Sequence, residues 1–134
     1  MKLDRIHHVG VAVTDMEEAI RLYTSSFGAQ LVQRTASESD GLEAAFLKTG
    51  DGEVELLRPT RDESPVGKFL ARRGPGLHHV AYAVADIDSA LTAARAAGLE
   101  LIDAQPRVGL HGSRIAFLHP RTLGGVLTEL VEVR

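Results

Sequence analysis

Two stretches of this chain repeat the same hydrophobic and polar pattern in the same order. Apart from a pair of histidines, residues 6–13 and 77–84 are apolar or small, with β-branched Ile6, Val9, Val11 and Val13 in the first and Val80 and Val84 in the second, and each run predicts a buried strand. After the first run, Asp15 stands as a helix N-cap with Glu18 three residues on, the pairing of a capping box. Met16, Ala19, Ile20, Tyr23 and Phe27 then recur at helical spacing, and Gly28 supplies the stop. After the second run, Asp86 is the cap, Ile87, Ala90, Leu91 and Ala94 form the stripe, and Gly98 ends it. Further strands are predicted over 30–35, 42–49 and 54–58, with "GDG" at 50–52 as a hairpin turn. In the second half they fall at 100–102, 114–119 and 126–133, with "HPRTLGG" turning the chain between the last two. Ser64 and Pro65 open a short connecting helix over 64–74, closed by Gly74.

Shifted by 71 residues, the halves superimpose: Ile6 on Leu77, His7 on His78, His8 on His79, Val9 on Val80, Asp15 on Asp86. Such even matching indicates internal duplication. The expected fold class is therefore α+β: two paired βαβββ modules forming a cupped, partly open mixed sheet with helices on the outside. The 134 residues suit one domain. Module one covers about 4–60, the connecting helix 64–74, and module two about 75–134.

Composition narrows the function. A net charge of -3 gives no reason to expect nucleic acid or a membrane surface as partner. The absence of cysteine excludes disulfides and thiolate metal ligands. It suits the reducing cytoplasm, where we expect the protein to reside. No segment reads as a signal peptide or a membrane span.

Strand alternation sorts the paired histidines. His8 shares a face with Gly10 and Ala12, and His79 with Ala81 and Ala83; the valines take the other faces and are expected to pack under the helices. Small neighbours leave space beside an imidazole, so His8 and His79 are the candidate ligands, with His7 and His78 as packed or edge residues. A lone strand histidine is usually structural, but two at equivalent places of a duplicate are not so easily set aside. Glu55 and Glu129 interrupt apolar strands near the two module ends. A carboxylate in a core costs several kcal/mol unless paired or bound to a cation, on the order of the burial penalty for ions. Glu53 and Glu132 are expected to face water. His8, Glu55, His79 and Glu129 together form a nitrogen–oxygen donor set for a divalent ion. Cobalt, manganese, nickel, zinc, iron and magnesium are all admitted, because the donor set does not select strongly among them.

The segments "RIHHVGVAV", "VELLRP", "ESPVGKFLARRGPGLHHVAYAV", "PRVGLHGSRIAFLHP" and "GGVLTELVE" carry a resemblance that covers nearly the whole chain. They resemble the vicinal oxygen chelate (glyoxalase-like) superfamily, and within it the methylmalonyl-CoA epimerases. The resemblance implies that His8, His79 and Glu129 are metal ligands and that Glu55 is the fourth, at a position filled by glutamine or glutamate in relatives. It implies interconversion of (R)- and (S)-methylmalonyl-CoA through a metal-stabilised thioester enolate, and a homodimer. Glu129 is the expected proton carrier on one face; Glu55, Glu43 or water are candidates for the other. Ala44 stands where some epimerases have a further glutamate. His111 is a candidate lining residue. Arg58, Arg61, Lys68, Arg72, Arg73, Arg107 and Arg114 are candidates to meet the phosphates of an acyl-CoA thioester. The alternatives are a glyoxalase-type lyase or isomerase acting on a thiol adduct, and a non-catalytic binding relative.

Overall fold

The caps read from the sequence all form in the computed structural model, which describes residues 1–134. Asp15 accepts from the Glu18 N–H at 3.0 Å and starts α1 (Met16–Arg21). Ser64 accepts from the Gly67 N–H at 3.1 Å and starts α2 (Pro65–Arg73), with Pro65 in the first turn where its missing N–H costs nothing. Asp86 accepts from the Ser89 N–H at 3.2 Å and starts α3 (Ile87–Ala96). Gly67 is forced by close approach: a Cβ there would lie 2.5 Å from the Asp62 carbonyl oxygen and 2.7 Å from that of Arg61.

The strands are β1 (Arg5–Ala12), β2 (Gln30–Ser37), β3 (Leu42–Thr49), β4 (Gly52–Pro59), β5 (Gly76–Val84), β6 (Arg107–Val108), β7 (Arg114–Leu118) and β8 (Thr128–Glu132). They form one mixed sheet in the order β2-β3-β4-β1-β5-β8-β7-β6. The duplication is visible in the pairing. β1 runs parallel to β4 with Gly10 opposite Glu55, and β5 runs parallel to β8 with Ala81 opposite Glu129. In each half the third strand is antiparallel to the fourth and to the second.

Contacts group residues 8–78 into one compact unit and residues 1–7 with 79–134 into another. In the first unit, Ala45, Leu47 and Leu56 pack with Met16 and Ala29 under α1, and Val11, Val13 and Val54 complete the layer. Burying side chains such as Leu47 and Leu56 contributes about 1.5–3 kcal/mol each. By register and alternation, the opposite face carries His8, Gly10, Ala12, Ala44, Phe46, Glu55 and Leu57. In the second unit, Val84, Ala116, Leu118 and Leu130 pack with Ile87, Ala90, Leu91 and Ala94 of α3. The opposite face holds Ala81, Ile115 and Val131, with Phe117 and Val133 against them. The chain's first residues join this unit through the Asp4 N–H, which donates to the Ala83 carbonyl at 2.9 Å.

Several expectations need correction. The first helix does not run evenly to Gly28: residues after Arg21 widen into a π turn (Leu22–Ser26), and Phe27 is exposed rather than part of the core stripe. Residues 100–102 make only an isolated bridge, Leu101 to Leu118, and the edge strand is the two-residue β6. The last strand starts at Thr128, not at 126. The valines of β1 are half-buried, whereas His8, Gly10 and Ala12 beside them are buried, so the small-residue face is the deeper one. No helix is long and apolar enough to cross a membrane.

Candidate metal centre

β5 begins with glycine and histidines and continues as alternating valine and alanine, so His79 enters the sheet on the alanine side. Its side chain is 2% exposed, and Nε2 lies 3.1 Å from Oε1 of Glu129. Glu129 is placed by β8, whose parallel register with β5 sets it beside Ala81. Phe117 lies opposite Glu129 on β7, and its ring meets the His79 ring edge-on at 5.4 Å between centroids. In the first unit, the His8 side chain is also 2% exposed, and its Nε2 lies 3.8 Å from Oε1 of Glu55. Glu55 is buried on β4, two positions from Leu57 on the same face.

His8, His79 and Glu129 each offer one ligand atom within 4.8 Å of the others, and all three residues are buried. Ligands on opposite sides of one ion sit about 4.2 Å apart at ordinary metal–nitrogen and metal–oxygen lengths. Shifts of under about one ångström would therefore bring these atoms to coordination distance. Two imidazoles and a carboxylate suit a first-row divalent ion. A buried carboxylate also needs compensating positive charge, which such an ion supplies. The residues fit a metal. Glu55 is not one of the three; it is held against His8.

The other sequence candidates fall into place as follows. His7 packs its ring against His111 at 5.7 Å, and His78 packs against Phe69 at 4.9 Å. Glu43 alternates with Ala44 and so projects from the opposite face to Glu55. There its Oε1 accepts from Arg58 Nε at 2.8 Å, with Arg34 at 3.7 Å. That position removes Glu43 as a proton carrier for this site. Arg58 is thereby occupied, Arg61 is tied to Glu63 and to the Glu38 and Ser39 carbonyls, and Arg114 bridges Asp88 and Glu132. Lys68, Arg72 and Arg73 lie exposed on α2, and Arg73 stands over the Phe69 ring.

Glu132 does not face water. It is 8% exposed, and its Oε2 accepts from the Ile87 N–H at 3.0 Å, completing the N-terminus of α3. That hydrogen bond holds its carboxyl below the usual range, Arg134 and Arg114 add to the effect, and burial opposes it. Sequence reasoning missed Phe117 as a neighbour of the site. An aromatic residue inside an apolar strand gives no sign of its partner until the β7–β8 register is known.

Comparison with known proteins agrees with this geometry. Residues 7–117 match the model of the Glyoxalase/Bleomycin resistance protein/Dioxygenase superfamily. The mitochondrial methylmalonyl-CoA epimerase of Dictyostelium discoideum is 34% identical over 131 residues, covering 97% of this chain and 79% of that protein. The structure of methylmalonyl-CoA epimerase from Mycobacterium tuberculosis matches with a TM-score of 0.93 at 36% identity, over 98% of this chain and 89% of that one. A variant of the Streptomyces coelicolor methylmalonyl-CoA epimerase, in complex with 2-nitronate-propionyl-CoA, matches with a TM-score of 0.92 at 39% identity, over 98% and 95%. The duplicated βαβββ topology, the buried histidine–glutamate pairs and these likenesses together establish that the chain belongs to the Glyoxalase/Bleomycin resistance protein/Dioxygenase superfamily.

Proposed function

We propose that this chain is a metal-dependent epimerase that interconverts (R)- and (S)-methylmalonyl-CoA. The observation that carries the reading is the closeness of three buried ligand atoms, on His8, His79 and Glu129, in a chain similar to methylmalonyl-CoA epimerases along nearly its whole length. Epimerisation removes the hydrogen on the carbon flanked by thioester and carboxylate, and returns one from the opposite side. A divalent ion bound there supplies a Lewis acid for the oxygen on which negative charge develops. We take cobalt first among the candidates.

The chain's own residues do the rest. His8 and His79 present nitrogen donors from two strands and would hold the ion together with Glu129. Glu129 has two carboxylate oxygens, of which Oε1 faces His79; to this carboxylate we assign the role of base for the substrate proton. Glu55, against His8, is the fourth ligand and the remaining carboxylate for the second side. Ala44, Phe46 and Leu57 flank Glu55 on its face, and Glu55 itself is buried, so that carboxylate stands among apolar neighbours.

The test is incubation of the cobalt-loaded protein with (S)-methylmalonyl-CoA in deuterated water. Conversion to the (R) form with deuterium at the α-carbon, abolished by chelator and restored by cobalt, is the expected result. Absence of both inversion and exchange in the loaded protein overturns the reading. We also infer a homodimer, supported by the eight-residue edge strand β2, on which Leu31 and Val32 are exposed. A monomer mass by light scattering at micromolar concentration refutes that.

A further inference from the structure

Beside the candidate centre, Asp103 closes a small clasp that the proposed chemistry leaves without a role. One oxygen of Asp103 accepts from the Phe117 backbone N–H at 2.8 Å, and the other accepts from Arg107 Nε at 3.3 Å. The Arg107 guanidinium carbon then sits 5.7 Å from the centre of the Phe117 ring. That same ring meets His79 at 5.4 Å. Arg107 pairs with Ile115 across β6 and β7, and Ile115 belongs to the cluster with Ala81 and Val131, so Arg107 lies on the face that carries Glu129. Its side chain is 44% exposed.

These contacts fix the arginine in a particular way. Asp103 engages only Nε, and the ring supports the guanidinium through a cation–π contact. Both terminal amino groups are left as an oriented fork. Of the cations singled out from the sequence, Arg58, Arg61 and Arg114 are spent in ion pairs at both ends of their forks or in carbonyl contacts. Arg107 keeps its fork open and is one aromatic ring away from a candidate ligand.

We propose that Arg107 binds the pantetheine arm of the acyl-CoA, donating to its amide carbonyls, with Phe117 as the floor beneath the arm. This rests on the acyl-CoA reading above. Distance selects the arm over the phosphates. Extended, the arm runs about 16 Å from the thioester sulfur to the diphosphate on standard bond lengths. Arg107 stands only two ring spacings from His79, which meets the acyl end, so the carbonyls partway along the arm fall to it and the diphosphate lies beyond.

Three probes without a stereocentre to invert separate the possibilities in equilibrium titrations of the cobalt-loaded protein: malonyl-CoA, malonyl-pantetheine, and the S-methyl thioester of malonate. Arg107→Ala is expected to weaken the first two equally, by about tenfold, as loss of one charge-assisted hydrogen bond predicts. It is expected to leave the S-methyl thioester within about twofold, since that probe carries no arm. Arg107→Gln gives the same pattern, and thermal melts confirm that both variants fold. Weakening of malonyl-CoA alone would show that Arg107 reads a phosphate, and overturns the proposal. Equal weakening of all three would place it at the acyl end, and unchanged affinities would remove it from the site; either also overturns it. Failure of the unmodified protein to bind malonyl-CoA strikes the acyl-CoA reading itself, and is seen before any variant is compared.

Discussion

Replacing Glu129 by glutamine separates its charge and basicity from its shape. The side chain is 5% exposed, and its Oε1 stands 3.1 Å from His79 Nε2, so glutamine fits the same space and keeps a carbonyl oxygen as donor to a metal. Removing one partner of a buried pair costs up to about 3–5 kcal/mol where the other is left charged, so a thermal melt of the variant accompanies the assay. The amide, however, takes up no proton from carbon. Loss of a positioned base slows proton transfer by about 100- to 10,000-fold. At about 1.4 kcal/mol per tenfold, the barrier rises by about 3–5 kcal/mol. The assay is deuterium wash-in at the α-carbon of (R)- and (S)-methylmalonyl-CoA, followed by mass spectrometry, with cobalt content measured on the same samples. Glu129→Gln loaded with stoichiometric cobalt should exchange one epimer at least a hundredfold more slowly, as base loss requires. Exchange of both epimers within about twofold of the unmodified protein, with cobalt in place, would refute the assignment of Glu129 as a base.

Three further outcomes are expected. Saturating the protein with cobalt at about 100 times its dissociation constant should add about 2.7 kcal/mol of stability; the melting temperature should rise by roughly 8–10 °C for a domain of this size, and an unchanged melt refutes the metal site. The depressed Glu132 carboxyl stabilises the fold above the unfolded-state value of about 4.3, and that contribution disappears as the pH falls through the lower folded value. Glu132→Gln should accordingly melt below the unmodified protein at pH 7, with the difference shrinking on acidification; a constant difference contradicts the linkage. Gly67→Ala forces a methyl onto two backbone oxygens that have no flexible side chain to move aside. A loss of about 1–3 kcal/mol follows, read as a drop in denaturation midpoint, and no change would show that the Asp62 turn yields freely.

The parts of this structure that were legible in the sequence are those governed by neighbours in the chain. Asp15, Ser64 and Asp86 each bind a backbone N–H three residues on, a spacing that the sequence alone displays. Gly50 takes a φ of +62° at the first position of a two-residue loop, as its place in "GDG" requires. His8 and His79 were separated from His7 and His78 by alternation alone. What was not legible depends on distant partners. Glu132 reads as a solvated residue until the Ile87 N–H, 45 residues away, is seen to take its carboxylate. Glu43 gave no sign that Arg58 and Arg34 would hold it on the far face. The short β6 lacks apolar alternation of its own and exists because β7 offers it an edge.

β8 carries Glu129 toward one layer and Glu132 toward the other, an odd number of steps apart, with every position from Thr128 to Glu132 buried. Inserting or deleting a single residue just ahead of this segment would turn both carboxylates into the wrong layer at once, and doing so between them would turn one. Glu129 would then leave the candidate ligand group, and Glu132 would abandon the α3 cap. Length variation among relatives should consequently fall in the 109–113 turn between β6 and β7 and spare these five positions, where one frame of alternation serves both the candidate site and the fold.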